Sequence, residues 1–73
     1  MKRISFKTWE FEYNSETKVL SCLNEHIVVK DILEIHIDIA LYIILYFYEV
    51  NYWRYIDMTY RSLIDEFNTA TFF

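Results

Sequence analysis

The stretch "EIHIDIALYIILYFYEV", Glu34 to Val50, decides how this chain folds. From Leu33 to Phe47 every odd position is aliphatic or Phe: Leu33, Ile35, Ile37 and Ile39, then Leu41, Ile43, Leu45 and Phe47. The even positions begin polar, with Glu34, His36 and Asp38. They turn aromatic or apolar at Tyr42, Ile44, Tyr46 and Tyr48. Unbroken alternation rich in Ile and Tyr predicts a strand. A helix is the rival reading. Asp31 and Glu34 have the spacing of a capping box, and Asp31, Glu34 and Asp38 would share one helical face. No Gly or Pro is present to break a helix between Ile32 and Asn68. A membrane span fails on length, because the longest uncharged run, Ile39 to Tyr48, has 10 residues and a transmembrane helix needs about 20.

Upstream lies "WEFEYNSETKVLSC", residues 9–22. Trp9, Phe11 and Tyr13 alternate with Glu10 and Glu12, the period of a half-buried strand. Pairing Asn14 with Val19 sets Tyr13 opposite Leu20 and Phe11 opposite Cys22 on one face. It sets Glu12 opposite Ser21 on the other. Like meets like, so a hairpin in this register is predicted. Asn14 is expected to accept hydrogen bonds from the turn amides, and Lys18 to take a left-handed conformation in place of Gly. The run Tyr13 to Lys18 resembles the turn of the C-terminal hairpin in the immunoglobulin-binding domains of protein G. The resemblance is confined to this turn and implies a turn type only. Before Trp9 the apolar phase shifts to Ile4 and Phe6, which suggests a bulge at Lys7-Thr8. The second strand could continue through residues 23–29, up to a break at Lys30-Asp31.

Downstream the period changes. Trp53, Ile56, Tyr60, Leu63, Ile64 and Phe67 recur at helical spacing, with Arg54, Asp57, Arg61 and Asp65 opposite. An amphipathic helix over residues 51–68 is expected, with Asn51 as its N-cap. The tail "TATFF" is expected to fray unless Phe72 and Phe73 dock.

The 73 residues are expected to form a single domain, residues 1–73. At 55% hydrophobic and 21% aromatic, the chain has the material for a core and is not of disordered type. Ile and Tyr abound while Gly and Pro are missing, a codon bias that points to an AT-rich genome such as that of a low-GC bacterium, its phage or its plasmid. The net charge of −4 is uneven. Residues 1–30 carry five basic and four acidic side chains, and residues 31–73 carry two and seven. Direct nucleic-acid binding through a basic patch is disfavoured. One cysteine, Cys22, forms no disulfide within the chain, so a reducing cytoplasm is expected. No secretory signal is visible, because Lys7, Glu10 and Glu12 interrupt any apolar run after Lys2 and Arg3.

Chemistry-bearing clusters are sparse. Glu34, His36 and Asp38 would line one face of a strand, and a His with two carboxylates can bind zinc or act as an acid/base pair. The ordinary reading is a solvated polar face. Cys22 and His26 lack the orienting group and oxyanion hole a thiol nucleophile needs. No catalytic residue, metal site or cofactor is therefore assigned, and the chain is not expected to be an enzyme. A small metal-dependent enzyme using His36 is the remote alternative. The tyrosines carry more information. Tyr42, Tyr46, Tyr48, Tyr52, Tyr55 and Tyr60 crowd one part of the chain with Trp53, and Tyr and Trp dominate interface hot spots.

The expected fold is α+β: a small antiparallel sheet, made of the hairpin and a third strand, under a C-terminal amphipathic helix. A hairpin followed by two helices is the alternative. The expected function is direct contact with a larger protein, through a basic or nucleic-acid-binding surface of that partner, so as to inhibit it. The concrete version is a phage or mobile-element inhibitor of a bacterial defence system, of the anti-CRISPR type, acting in the host cytoplasm. An antitoxin or immunity protein is the alternative. Glu34, Asp38, Tyr42, Tyr46, Tyr48 and Tyr52 are the expected partner-binding residues, and the occupant of that face is a partner protein or, in a homodimer, a second copy. No membrane partner is expected.

Overall fold

A computed structural model describes residues 1–71. The fold is α+β, a five-stranded mixed sheet with two helices. In chain order the elements are β1 (Lys2–Phe6), β2 (Trp9–Asn14), β3 (Val19–Cys22) and β4 (His26–Lys30), then a 3-10 turn (Glu34–His36), α1 (Ile37–Glu49), β5 (Tyr55–Thr59) and α2 (Tyr60–Thr71). The strands lie side by side in sequence order. The first three pairings are antiparallel and β4–β5 is parallel. Parallel neighbours cannot be joined by a tight turn, and α1 supplies the crossover.

Alternation sorts the sheet into two faces. Phe11, Tyr13, Leu20, Ile27, Val29 and Ile56 are buried beneath the helices. The opposite face is polar and internally paired: Arg3 bonds to Glu12 at 3.2 Å, Lys30 to Asp57 at 3.0 Å, and the Ser5 hydroxyl to the Glu10 carboxylate at 2.8 Å. The hairpin of β2 and β3 has the predicted register, Phe11 with Cys22, Glu12 with Ser21, Tyr13 with Leu20 and Asn14 with Val19. Its turn also matches: Asn14 Oδ1 accepts from the Glu16 and Thr17 amides at 2.9 and 3.2 Å, and Lys18 sits at φ 57°.

Other expectations are corrected. The phase shift before Trp9 is a two-residue turn at Lys7-Thr8, not a bulge, because Phe6 pairs with Trp9 and starts a separate strand. Lys7 takes φ 58°, a conformation hairpin turns usually assign to Gly. The strand after the hairpin stops at Cys22 instead of running on to Val29. The chain reverses at residues 23–25, where Asn24 ties the corner to β2: its Nδ2 donates to the Thr8 carbonyl at 2.9 Å and its Oδ1 accepts from the Glu10 amide at 3.2 Å.

The opening stretch is helical. It provides no third strand; β1, β4 and β5 extend the hairpin instead. The Asp31–Glu34 capping box does not form, since Asp31 is at φ 58° and no side chain caps the start of α1. The segment 51–68 also divides. Its first half holds β5, whose Ile56 and Met58 face inward while Tyr55 and Asp57 face out. Asn51 caps nothing there. Thr59 takes that role for α2, its Oγ1 accepting from the Ser62 amide at 3.1 Å. Trp53 precedes the strand and stacks on Phe47, centroids 4.3 Å apart and planes 7° apart. Residues 69–71 continue α2, whereas Phe72 and Phe73 lie outside the described residues.

Between the layers lie Phe11, Phe47, Ile44, Leu20 and Leu63, all fully buried. The Tyr13 hydroxyl crosses this core to donate to the Ile32 carbonyl at 2.7 Å. Among the described residues no helix is long and apolar enough to cross a membrane.

Candidate functional site

α1 is apolar nearly all round. Ile37, Ala40, Leu41, Ile44, Phe47 and Tyr48 follow the three-and-four spacing of a core-facing stripe and are buried. The opposite side would be polar on an ordinary surface helix. Here it carries Ile39, Tyr42 and Tyr46, again at three-and-four spacing. Ile39 is 50% exposed and Tyr42 66%.

α2 lies beside α1 and packs on β4 and β5. Its Leu63 enters the core, and Ile64 and Phe67 turn toward α1. Between the helices runs an open groove of about 480 Å³. Ile39, Tyr42, Ile43 and Tyr46 form one wall, and Ile64, Phe67 and Asn68 form the other. Two edge-to-face contacts fix its tyrosines. Tyr46 meets Phe67 with centroids 5.4 Å apart, and Tyr42 meets Phe6 of β1 at 5.6 Å. Tyr42 keeps 66% of its surface exposed beyond this contact, whereas Tyr46 is half-buried.

The expected partner-binding residues are distributed as follows. Asp38, Tyr42 and Tyr46 share one stripe of α1, because positions four apart on a helix stand above one another. Glu34, one turn earlier, is tied to Lys2 at 2.8 Å, and that hydrogen bond holds the Lys2 ammonium above its usual pKa. Tyr48 is turned the other way. It is 8% exposed, its ring lies edge-on to Trp9 at 4.9 Å, and its hydroxyl donates to the Arg54 carbonyl at 3.3 Å. Burial raises its phenol pKa, with the Glu25 carboxylate adding to the shift and Arg54 opposing it. Tyr52 is exposed beyond the end of α1 at φ 57°, near the Arg54 guanidinium, and does not line the groove.

The other clusters come apart. His36 leaves Glu34 and Asp38 to stack on Tyr60, centroids 4.9 Å and planes 7° apart. Among the described residues no group of three or more His, Cys, Asp or Glu side chains could hold a metal ion. Cys22 lies on the covered face, its Sγ against Asn24 Oδ1 at 3.1 Å, while His26 lies on the open face stacked on Tyr55.

The sequence reading missed Ile39, Ile43, Ile64 and Phe67 as groove residues. The strand reading puts Ile39 and Ile43 on the aliphatic face of a strand, and the helical period over residues 51–68 puts Ile64 and Phe67 on the apolar side of a helix. The signal that would have found them is a helix with apolar residues on both sides, which has one side too many for a two-layer fold. Comparison of the chain with family models, curated proteins and solved structures finds no match.

Proposed function

We propose that this chain is a binding protein that acts by direct contact with a larger protein, and that the groove between α1 and α2 is its contact surface. One observation carries the reading: the outward face of α1 presents Ile39 and Tyr42 to solvent beside the half-buried Tyr46, with α2 completing the groove. Apolar surface of this kind, concentrated on one side of a small protein, marks an interaction site. Anchored tyrosines supply large contact area at small entropic cost.

Occupying a partner's surface is also a sufficient mechanism for inhibition. The Ile- and Tyr-rich, Gly- and Pro-free composition supports a phage or mobile-element origin. The concrete form of the proposal is therefore an inhibitor of a bacterial defence system, of the anti-CRISPR type, acting in the host cytoplasm. Phage plating on strains that each carry one active defence system tests it. The wild-type chain is expected to restore plating on at least one strain, and Tyr42→Ala to weaken the underlying complex by about 1–3 kcal/mol. Restoration by Tyr42→Ala and Ile39→Asp as full as by wild type would place the contact elsewhere. Failure of the wild-type chain on every strain would remove the anti-defence form.

A further inference from the structure

We infer that the occupant of the groove is an amphipathic α-helix of the partner whose flanks are basic. The inference rests on the reading of the groove as the contact surface, and it specifies the chemistry of what docks there.

The first support is spacing. The outward stripe of α1 reads Ile39, Tyr42, Tyr46, in steps of three and four. That is the repeat of a seam that meets a second helix along its length. Ile39 is 50% exposed and Tyr42 66%, so the first turns of the seam are open. Ile64 and Phe67, three apart on α2, provide a second wall. A helix laid along the groove would complete a layer of three helices. An extended strand would gain nothing from these walls, because helices offer no free row of backbone donors and acceptors.

The second support is charge. The two helices carry four carboxylates, Asp38, Glu49, Asp65 and Glu66, against one cation, Arg61. The rest of the chain carries seven carboxylates against six cations. Three of the four net negative charges therefore sit in the helix layer. Asp38 and Glu49 fall beside the Tyr42–Tyr46 stripe on α1, where Lys2 of β1 faces Asp38, and on α2 Arg61 and Asp65 both flank the Ile64–Asn68 stripe by helical spacing, so carboxylates outnumber cations along the rim. A helix with Lys or Arg flanking an apolar stripe complements this rim. A second copy does not, since a two-fold pair through this face would bring like charges together. Nucleic acid is disfavoured by the same sign.

The test uses synthetic helical peptides of about three heptads titrated into the full chain, with binding read by anisotropy of a labelled peptide and mapped by amide chemical shifts. One peptide alternates Leu and Lys in heptad pattern, one replaces Lys by Glu, and one is the Leu/Lys peptide with a central Pro. The Leu/Lys peptide is expected to bind, with shifts confined to α1 and α2. Ile39→Asp is expected to weaken it about tenfold or more, although that substitution adds negative charge and would strengthen a purely ionic contact. The thermal melt of Ile39→Asp reports whether the fold is kept; if it is not, Tyr42→Ser takes its place in the titration. Equal binding of the Leu/Glu peptide overturns the charge argument, and equal binding of the Pro-broken peptide overturns the helix. A wild-type dimer in sedimentation that Ile39→Asp converts to monomer makes the occupant a second copy. That result overturns this inference while leaving the groove as contact surface. Peptide binding that survives both substitutions overturns the groove itself.

Discussion

Lys18 is held at φ 57° in the β2–β3 turn, where its amide donates to the Asn14 carbonyl at 2.7 Å. A side chain with a Cβ pays for that conformation by roughly 1–2 kcal/mol of crowding. The chain has no glycine, yet it visits the left-handed region at Lys7, Lys18, Asp31 and Tyr52. Lys7 and Lys18 close turns, Asp31 follows the end of β4 and Tyr52 lies in the loop before β5, so at both lysines and Tyr52 geometry has overridden residue preference. Lys18→Gly removes the crowding, while glycine's looser unfolded chain offsets part of the gain. The expected result is a stabilisation of about 0.5–1 kcal/mol in a urea melt. A loss of stability would mean that the lysine side chain contributes more than its backbone strain costs. This turn was legible in the sequence because Asn14 and Lys18 each need a specific local partner, and local chemistry does not depend on the rest of the fold.

At the scale of elements, α1 shows why the opening stretch misled. A helix buried on one side leaves gaps in its apolar pattern, and those gaps identify it. In α1 the gaps are filled by Ile39, Tyr42 and Tyr46, the residues of the groove. The helix reads as a strand for the same reason that it presents a binding surface. β5 was hidden in the opposite way. Trp53, Ile56 and Tyr60 happen to fall at helical spacing, although Trp53 lies in a loop, Ile56 in a strand and Tyr60 at the start of α2. The two readings of α1 separate in a pair of substitutions. On a strand, Tyr42 and Ile44 would share a face and respond alike. On the helix, Ile44 is fully buried and Tyr42 is mostly exposed. Ile44→Ala is therefore expected to cost about 2–5 kcal/mol. Tyr42→Ala is expected to cost under about 1 kcal/mol, the scale of its edge contact with Phe6. Denaturant melts of the two variants decide the matter, and equal losses would contradict the helix.

For the molecule as a whole, two tyrosines at the helix layer are expected to make stability fall at alkaline pH. Tyr48 sits against Trp9 of β2, and Tyr60 begins α2 beneath the His36 ring. Burial raises the pKa of both above the usual phenol value. A proton is therefore released from the unfolded chain at lower pH than from the folded one. Below about pH 10 both states keep the phenol neutral, and its full contribution is present. Above that value the unfolded chain ionises first and gains free energy, so stability falls as pH rises toward the folded pKa. Each group can remove at most about 1.4 kcal/mol per pH unit. Lys2 adds to the loss in the same direction, because its pKa is also raised by its bond to Glu34. Urea melts at closely spaced pH values are expected to be flat from neutrality to the onset and to decline beyond it. Tyr48→Phe keeps the ring against Trp9 and gives up the hydroxyl that donates to Arg54. It is expected to lower stability at neutral pH by about 1 kcal/mol and to make the alkaline decline shallower. A decline as steep in Tyr48→Phe as in wild type would assign the loss to Tyr60 and Lys2, and would leave the Trp9–Tyr48 contact without a role in the alkaline loss.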